Sequence, residues 1–197
     1  MTRIIAGRAG GRRLQTPRGD QTRPTSDRVR EALFSAIEAW AGSLHDLRLL
    51  DLYAGSGAIG LEAWSRGAAA VTLVEADRRT AELIRANARA IDCDVADVVA
   101  RSVATVLAEP ARAPYDLVFA DPPYPLSDEA VATDLALLVE HGWLADGALV
   151  VVERSRRSPE PAWPAGLEPL AGKRRLKKYG ETNLWLAEAT VADSLAP

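Results

Sequence analysis

Asp121-Pro122-Pro123-Tyr124 follows the apolar run Tyr115-Asp116-Leu117-Val118-Phe119-Ala120, which reads as a short buried strand. The tetrapeptide therefore falls on a loop at a strand's carboxyl end, where open α/β sheets bind ligands. Consecutive prolines bring no N–H donors, so this turn offers carbonyl acceptors, a carboxylate and an aromatic face. Such a surface suits an amino group on a flat heterocycle. The lone pair of such an amine lies in the ring's π system, which makes it a poor nucleophile that has to be aimed. With Asp121 and the Pro122 carbonyl accepting its two N–H bonds, the nitrogen can pyramidalise while Tyr124 stacks on the ring. No strong base is needed, because the alkylated amine is acidic, so Asp121 is an orienter first and a proton acceptor second. Taken alone, the four residues are more simply a strand stopped by prolines, with Asp121 capping the next helix.

A second set of residues lies upstream. The strand-like Arg48-Leu49-Leu50-Asp51-Leu52-Tyr53 runs into Ala54-Gly55-Ser56-Gly57-Ala58-Ile59-Gly60, a G-x-G-x-x-G pattern that opens a helix through Arg66. Glycines there allow a tight turn and close approach of a ligand, and the helix amino end can face negative charge. The next apolar run, Ala70 to Val74, ends at Glu75, 20 residues beyond Gly55. That position suits hydrogen bonds to ribose hydroxyls.

The elements that carry these residues alternate. A helix capped by Thr25 or Ser26 is expected to run to about Ala41, with Val29, Leu33, Phe34, Ile37 and Trp40 on its core face. Another begins at Asp77 and runs to about Ile91, and Asp94 to Ala100 enters a third strand. A helix near Asp128 to Glu140 follows the tetrapeptide, then a strand from Ala148 to Glu153. Residues 167–177 and 182–189 read as a closing hairpin around Tyr179-Gly180-Glu181. Alternating βα units imply a doubly wound, mostly parallel α/β sheet. The expected organisation is a basic hairpin or arm over 1–24, one domain over 25–189 and a tail over 190–197.

Composition narrows the partners. The chain has 197 residues and a net charge of −3, yet residues 1–30 hold eight arginines against Asp20 and Asp27. Arg3, Arg8, Arg12, Arg13, Arg23 and Arg28 are the candidates for contacting an anionic partner such as RNA. Three lysines among 24 basic residues make arginine a chain-wide habit, so position carries the information and residue type does not. With little apolar content, the arm is expected to lie outside the core. The clusters Arg154 to Arg157 and Lys173 to Lys178 read equally well as RNA face or as solvated charge. Cys93 alone allows no intrachain disulfide, and neither His45 nor His141 has a partner at metal spacing, so no metal is expected. No apolar run reaches 18 residues and the start lacks a signal-peptide plan, which points to a cytoplasmic protein without membrane contact.

Together, the glycine loop, the acid after the second strand and Asp121-Pro122-Pro123-Tyr124 resemble class I S-adenosylmethionine-dependent amino-methyltransferases. The likeness sharpens at Arg3-Ile4-Ile5-Ala6-Gly7, at Thr22 to Phe34, at Leu50 to Ala63 and at Tyr179-Gly180-Glu181-Thr182. These stretches are similar to the RsmD family, bacterial enzymes that methylate N2 of one guanine in 16S ribosomal RNA. The resemblance implies a Rossmann-like, seven-stranded sheet of order 3-2-1-4-5-7-6 with strand seven antiparallel. It implies Asp51 and the Gly55-Ser56-Gly57 backbone beside the methionine part of the cofactor, Glu75 on its ribose, and Asp121, Pro122 and Tyr124 on the target base; Tyr53, and Thr25 at the capping end of the first helix, are further candidates for the cofactor pocket. It also implies S-adenosylmethionine as methyl donor, S-adenosylhomocysteine as product, and an assembling or assembled small ribosomal subunit as substrate; ribosomal proteins are expected beside the target, and the enzyme is expected to be a monomer. One position departs: Ser102 stands where the family typically places an acid near the adenine, which leaves that contact without charge.

Three other readings compete. A DNA adenine-N6 or protein-glutamine methyltransferase needs the same amine orientation, but the basic arm favours nucleic acid, and the length leaves little room for a domain that flips a duplex base. A dinucleotide oxidoreductase would use Gly55, Gly57, Gly60 and Glu75 but leaves Asp121 to Tyr124 without a purpose. A non-catalytic RNA-binding module would not need both motifs intact.

Overall fold

Arg48–Leu52 (β3) and Ala70–Val74 (β4) are buried along nearly their whole length, as strands covered on both faces must be. The computed structural model describes residues 2–17 and 27–190. The chain divides into two units, Met1–Ser102 and Val103–Pro197.

In the first unit, Thr2–Arg3 (β1) pairs antiparallel with Arg13–Leu14 (β2). Asp27–Ala41 (α1) follows, then β3, Ala58–Ser65 (α2), β4, Arg78–Ala90 (α3) and Ala96–Val99 (β5). β3 pairs parallel with β4, and β4 with β5, which gives the expected 3-2-1 arrangement. Because these strands run parallel, their carboxyl ends lie at the same edge. On α1, Leu33, Phe34 and Ile37 are buried as the helical spacing predicts, whereas Trp40 is only half-buried. Thr25 and Ser26, the expected cap, lie outside the described residues.

The hairpin corrects the reading of the first residues as an arm outside the core. Ile4 and Leu14 are each only 1% exposed. Glu62 of α2, fully buried, accepts hydrogen bonds from the Ile5 N–H (2.6 Å) and the Ala6 N–H (3.0 Å). Ser65 Oγ donates to the Ala6 carbonyl (2.6 Å) and accepts from the Ala9 N–H (2.9 Å). At Gly7, with φ +80°, a Cβ would sit 1.9 Å from the Ser65 carbonyl oxygen. Only glycine allows that approach. The segment is anchored through its backbone, so its low apolar content was a poor guide to burial.

In the second unit, Val103–Leu107 (α4), Tyr115–Ala120 (β6), Asp128–Glu140 (α5) and Leu144–Ser155 (β7) precede Leu167–Pro169 (β8), Leu176–Tyr179 (β9) and Thr182–Ala189 (β10). β6 pairs parallel with β7, and β7 antiparallel with β10. Both β8 and β9 lie antiparallel against β10, so the order is 4-5-7-6 with the seventh strand antiparallel. The expected strand over 167–177 is broken: a 3-10 turn at Gly172–Arg174 splits it into β8 and β9. Gly172 at φ +58° supports that turn. β7 starts at Leu144, earlier than its apolar run suggests, with a register shift against β6 between Tyr115 and Leu117.

Candidate active site

Each unit carries one set of candidate residues at the carboxyl ends of its strands. In the first unit, Asp51 is 1% exposed and its Oδ2 accepts from the Gly60 N–H at 3.0 Å. A carboxylate on that first-turn amide fixes the amino end of α2. Between them the chain bends sharply: Tyr53 has φ +63° and Gly55 φ +56°, and the Gly57 N–H donates to the Ala54 carbonyl at 2.7 Å. A non-glycine residue held at positive φ is a conformation that functional loops concentrate.

The three glycines do different work. A Cβ on Gly57 would meet Ile84 Cγ2 at 2.8 Å, and one on Gly60 would meet Leu73 Cδ2 at 2.8 Å, so both are there for packing. A Cβ on Gly55 would find nothing nearer than the Tyr53 carbonyl oxygen at 4.0 Å. Gly55 is therefore not held as glycine by packing; its positive φ is what favours glycine there.

Glu75, at the end of β4, accepts from the Gly55 N–H through Oε2 (3.0 Å) and from the Asp77 N–H through Oε1 (2.8 Å). An ionised carboxylate offers about four lone-pair sites, so both oxygens retain capacity for hydroxyl donors. Ser102, beyond β5, is exposed. Thr25 and Arg23 lie outside the described residues.

One supporting residue escaped the sequence reading. Asn87 of α3 is 1% exposed and donates through Nδ2 to the carbonyls of Ser56 (3.0 Å) and Gln15 (2.9 Å). Its Oδ1 accepts from the Gln15 N–H at 2.8 Å. It thus joins the glycine loop to the segment leaving the hairpin. The available signal was a lone amide on the same helical face as Ala81, Ile84 and Ala88.

The basic residues near the start are partly engaged within the unit. Arg3 pairs with Asp27 at 3.2 Å, Arg12 with Asp92 at 3.8 Å, and Arg8 lies 4.9 Å above the Trp64 ring. Arg30 is buried, bonded to Thr2 Oγ1 (2.9 Å) and Asp27 Oδ1 (3.0 Å). Its burial lowers the guanidinium's pKa, with Glu62 and Asp27 opposing that effect. Arg13 and Arg28 are exposed. Thr2, Arg3, Arg13 and Asp27 line an open cavity of about 360 Å³.

In the second unit, β6 leads directly into Asp121, whose carboxyl is pushed up to about 6 by burial, with the Arg154 charge pulling the other way. Pro122 is buried and Tyr124 is 85% exposed. The Pro123 carbonyl accepts from the Leu126 N–H at 2.8 Å, closing a turn. The helix cap belongs to Ser127, whose Oγ accepts from the Ala130 N–H at 3.2 Å. Asp121 therefore does not cap the following helix, which removes that part of the simpler reading, while β6 does stop just before the prolines. Of the 154–157 cluster, Arg154 is mostly covered and pairs with Asp128 at 2.5 Å, while Arg156 and Arg157 are exposed.

The family model described as "Conserved hypothetical protein 95" matches residues 2–188. The "Ribosomal RNA small subunit methyltransferase D" of Escherichia coli (strain K12) is 39% identical over 183 residues, covering 90% of this chain and 88% of that protein. The solved structure of Escherichia coli yhhF superposes with a TM-score of 0.84 at 36% identity, covering 96% of this chain and 98% of that one. A Salinibacter ruber RNA methyltransferase solved with S-adenosyl-L-homocysteine is 18% identical with a TM-score of 0.61, covering 88% of this chain and 96% of that one. At that identity it shares the fold alone. With a mostly parallel α/β sheet, an open first glycine beside Glu75 and a proline-flanked Asp121 free of capping duty, the chain belongs to the RsmD family of class I methyltransferases.

Proposed function

We propose that the protein transfers a methyl group from S-adenosylmethionine to the exocyclic N2 of one guanine in 16S ribosomal RNA of the small subunit. The observation that carries this reading is Asp121, partly buried, relieved of capping by Ser127 and followed by an exposed Tyr124.

The residues of the first unit suit the methyl donor. Gly55 leaves room for close approach, Glu75 retains lone pairs for two ribose hydroxyls, and Asp51 secures the loop's far end through Gly60. Gly55, Ser56, Gly57 and Tyr53 border the methionine part, and Ser102 takes the adenine amine without charge. Thr25 is assigned to the same pocket. When bound, the cofactor supplies an electrophilic methyl on a sulfonium that leaves as a neutral thioether.

The second unit's residues prepare the nucleophile. Asp121 and the Pro122 carbonyl accept the two amine N–H bonds, and Tyr124 holds the ring plane. So held, the amine would present its lone pair in line with the donor's methyl carbon, the sulfonium being the leaving group. The nitrogen then sheds its extra proton to Asp121 or to water. Catalysis is mostly positioning, with no covalent enzyme intermediate and no metal.

Exposed Arg13 and Arg28, with Arg3, Arg8, Arg12 and Arg23, meet RNA phosphates, and ribosomal proteins border the target in the assembling or assembled subunit. The enzyme acts as a monomer in the cytoplasm. Among the described residues no helix is long and apolar enough to cross a membrane.

The test is transfer of a labelled methyl group from S-adenosylmethionine to purified small subunits lacking this modification, followed by nucleoside digestion. Labelled N2-methylguanosine is the expected product. Label in N6-methyladenine or in protein would overturn the substrate, and no label despite cofactor binding would overturn the catalytic reading.

A further inference from the structure

The loop that carries Asp121 to Tyr124 is fastened at its exit by a residue from a different strand. β6 and β7 run parallel with Ala120 opposite Val152, so Asp121 leaves the sheet beside the last residues of β7. Strand alternation puts Arg154 on the same face as Val152 and Glu153 on the other. The Arg154 side chain is 9% exposed, and its Nη2 lies 2.5 Å from Oδ1 of Asp128, the first residue of α5 after the Ser127 cap. One guanidinium thus stands beside the loop's entry and holds its exit.

We propose that Arg154 is a positioning residue for methyl transfer: it ties the exit of the Asp121–Tyr124 loop to β7 and keeps positive charge beside the Asp121 carboxylate. This rests on reading Asp121 as the acceptor of the amine N–H bonds. The carboxylate it pairs with, Asp128, is half-exposed, and such a pair contributes little to overall stability, so global folding is a weak reason for burying this arginine. Electrostatics gives a better one. Burial drives Asp121 toward its neutral form, and Arg154 is the charge that opposes it. Once protonated, the carboxyl becomes in part a donor and loses the acceptor geometry the amine requires. The other ionisable groups near the loop are Asp128 and Glu129 at the start of α5, Glu153 on β7 and Tyr124 in the loop itself. Among these and Arg154, the charge that acts on Asp121 is that of Arg154, and it opposes burial.

The experiment compares wild type with Arg154→Met, Arg154→Lys and Asp128→Asn, measuring kcat/KM for small subunits from pH 5.5 to 8.5 beside cofactor Kd. Starting from about 6, Arg154→Met is expected to move the acid limb to higher pH by about one unit, so that activity falls about twofold at pH 7, roughly eightfold at pH 5.5, and recovers at alkaline pH. Arg154→Lys should return the limb toward wild type, and Asp128→Asn should lower activity by a similar factor at every pH. Cofactor Kd should stay within about twofold in all three. A loss in Arg154→Met that is equal at all pH values would overturn the proposal in favour of a structural role, and unchanged activity would overturn it outright. In parallel, 13C NMR titration of the Asp121 carboxyl without substrate should show a higher pKa in Arg154→Met, and an unmoved titration would also overturn it. That measurement needs no turnover, so it separates failure of this proposal from failure of the methyltransferase reading.

Discussion

Asp121 sets activity against stability. Its pKa in the folded protein, about 6, stands above the roughly 3.9 of an unfolded aspartate, so folding disfavours the charged form. The sign follows: below about pH 4 the carboxyl is neutral in both states and costs nothing. Between about pH 4 and 6 stability falls as pH rises, because the unfolded chain releases its proton first. Above 6 the penalty is complete. Asp121→Asn should therefore raise the melting temperature at pH 7.5, with a gain on the order of 1–2 kcal/mol after allowing for partial exposure, and should leave it unchanged near pH 4. The same substitution should abolish turnover while sparing cofactor Kd, since an amide adds donors where the amine needs acceptors. Thermal unfolding at the two pH values, with a methyl-transfer assay, checks both; a lower melting temperature at pH 7.5 would contradict the buried-charge account.

At the scale of elements, α3 supports the glycine loop through Asn87. Truncating it in Asn87→Ala leaves the Gln15 amide and the carbonyls of Gln15 and Ser56 without those partners. Buried groups deprived of a hydrogen bond cost about 1–3 kcal/mol each, so a clear fall in melting temperature is expected. Because Ser56 sits in the loop, cofactor Kd should also rise about threefold to tenfold, equivalent to roughly 1 kcal/mol. Calorimetry checks this, and a lower melting temperature with an unchanged Kd would confine Asn87 to stabilising the hairpin. Glu62 acts similarly between α2 and the hairpin, with Arg66 Nε at 2.8 Å balancing its charge. A buried carboxylate is tolerable only when so compensated.

For the molecule as a whole, the charge asymmetry toward the N-terminus survives, but its working fraction is smaller than the sequence suggests. Arg30 is buried and Arg3 and Arg12 face carboxylates, whereas Arg13 and Arg28 are exposed. Deleting the first 20 residues would be a poor test of RNA binding, because it would also remove Ile4, Leu14 and the Asn87 contacts from the first unit. The double substitution Arg13→Ala and Arg28→Ala is cleaner: it should weaken RNA binding and reduce the slope of log K against log salt by about 1–2, with cofactor Kd unchanged. A filter-binding salt series measures that slope, and no change would return both arginines to ordinary surface charge. The sequence alone determined the order of strands and helices, the glycine loop, Glu75 and the proline-flanked Asp121, because each is written in a local pattern of apolar period, glycine and proline. Tertiary structure decided which of these groups are free to act. Glu62 reaches residues 57 positions away, Asn87 reaches 72 and Arg154 reaches 26. Ser127, not Asp121, proved to be the cap. Hydrogen bonds between distant segments, and the burial that makes them matter, depend on how elements pack, and no local pattern encodes that.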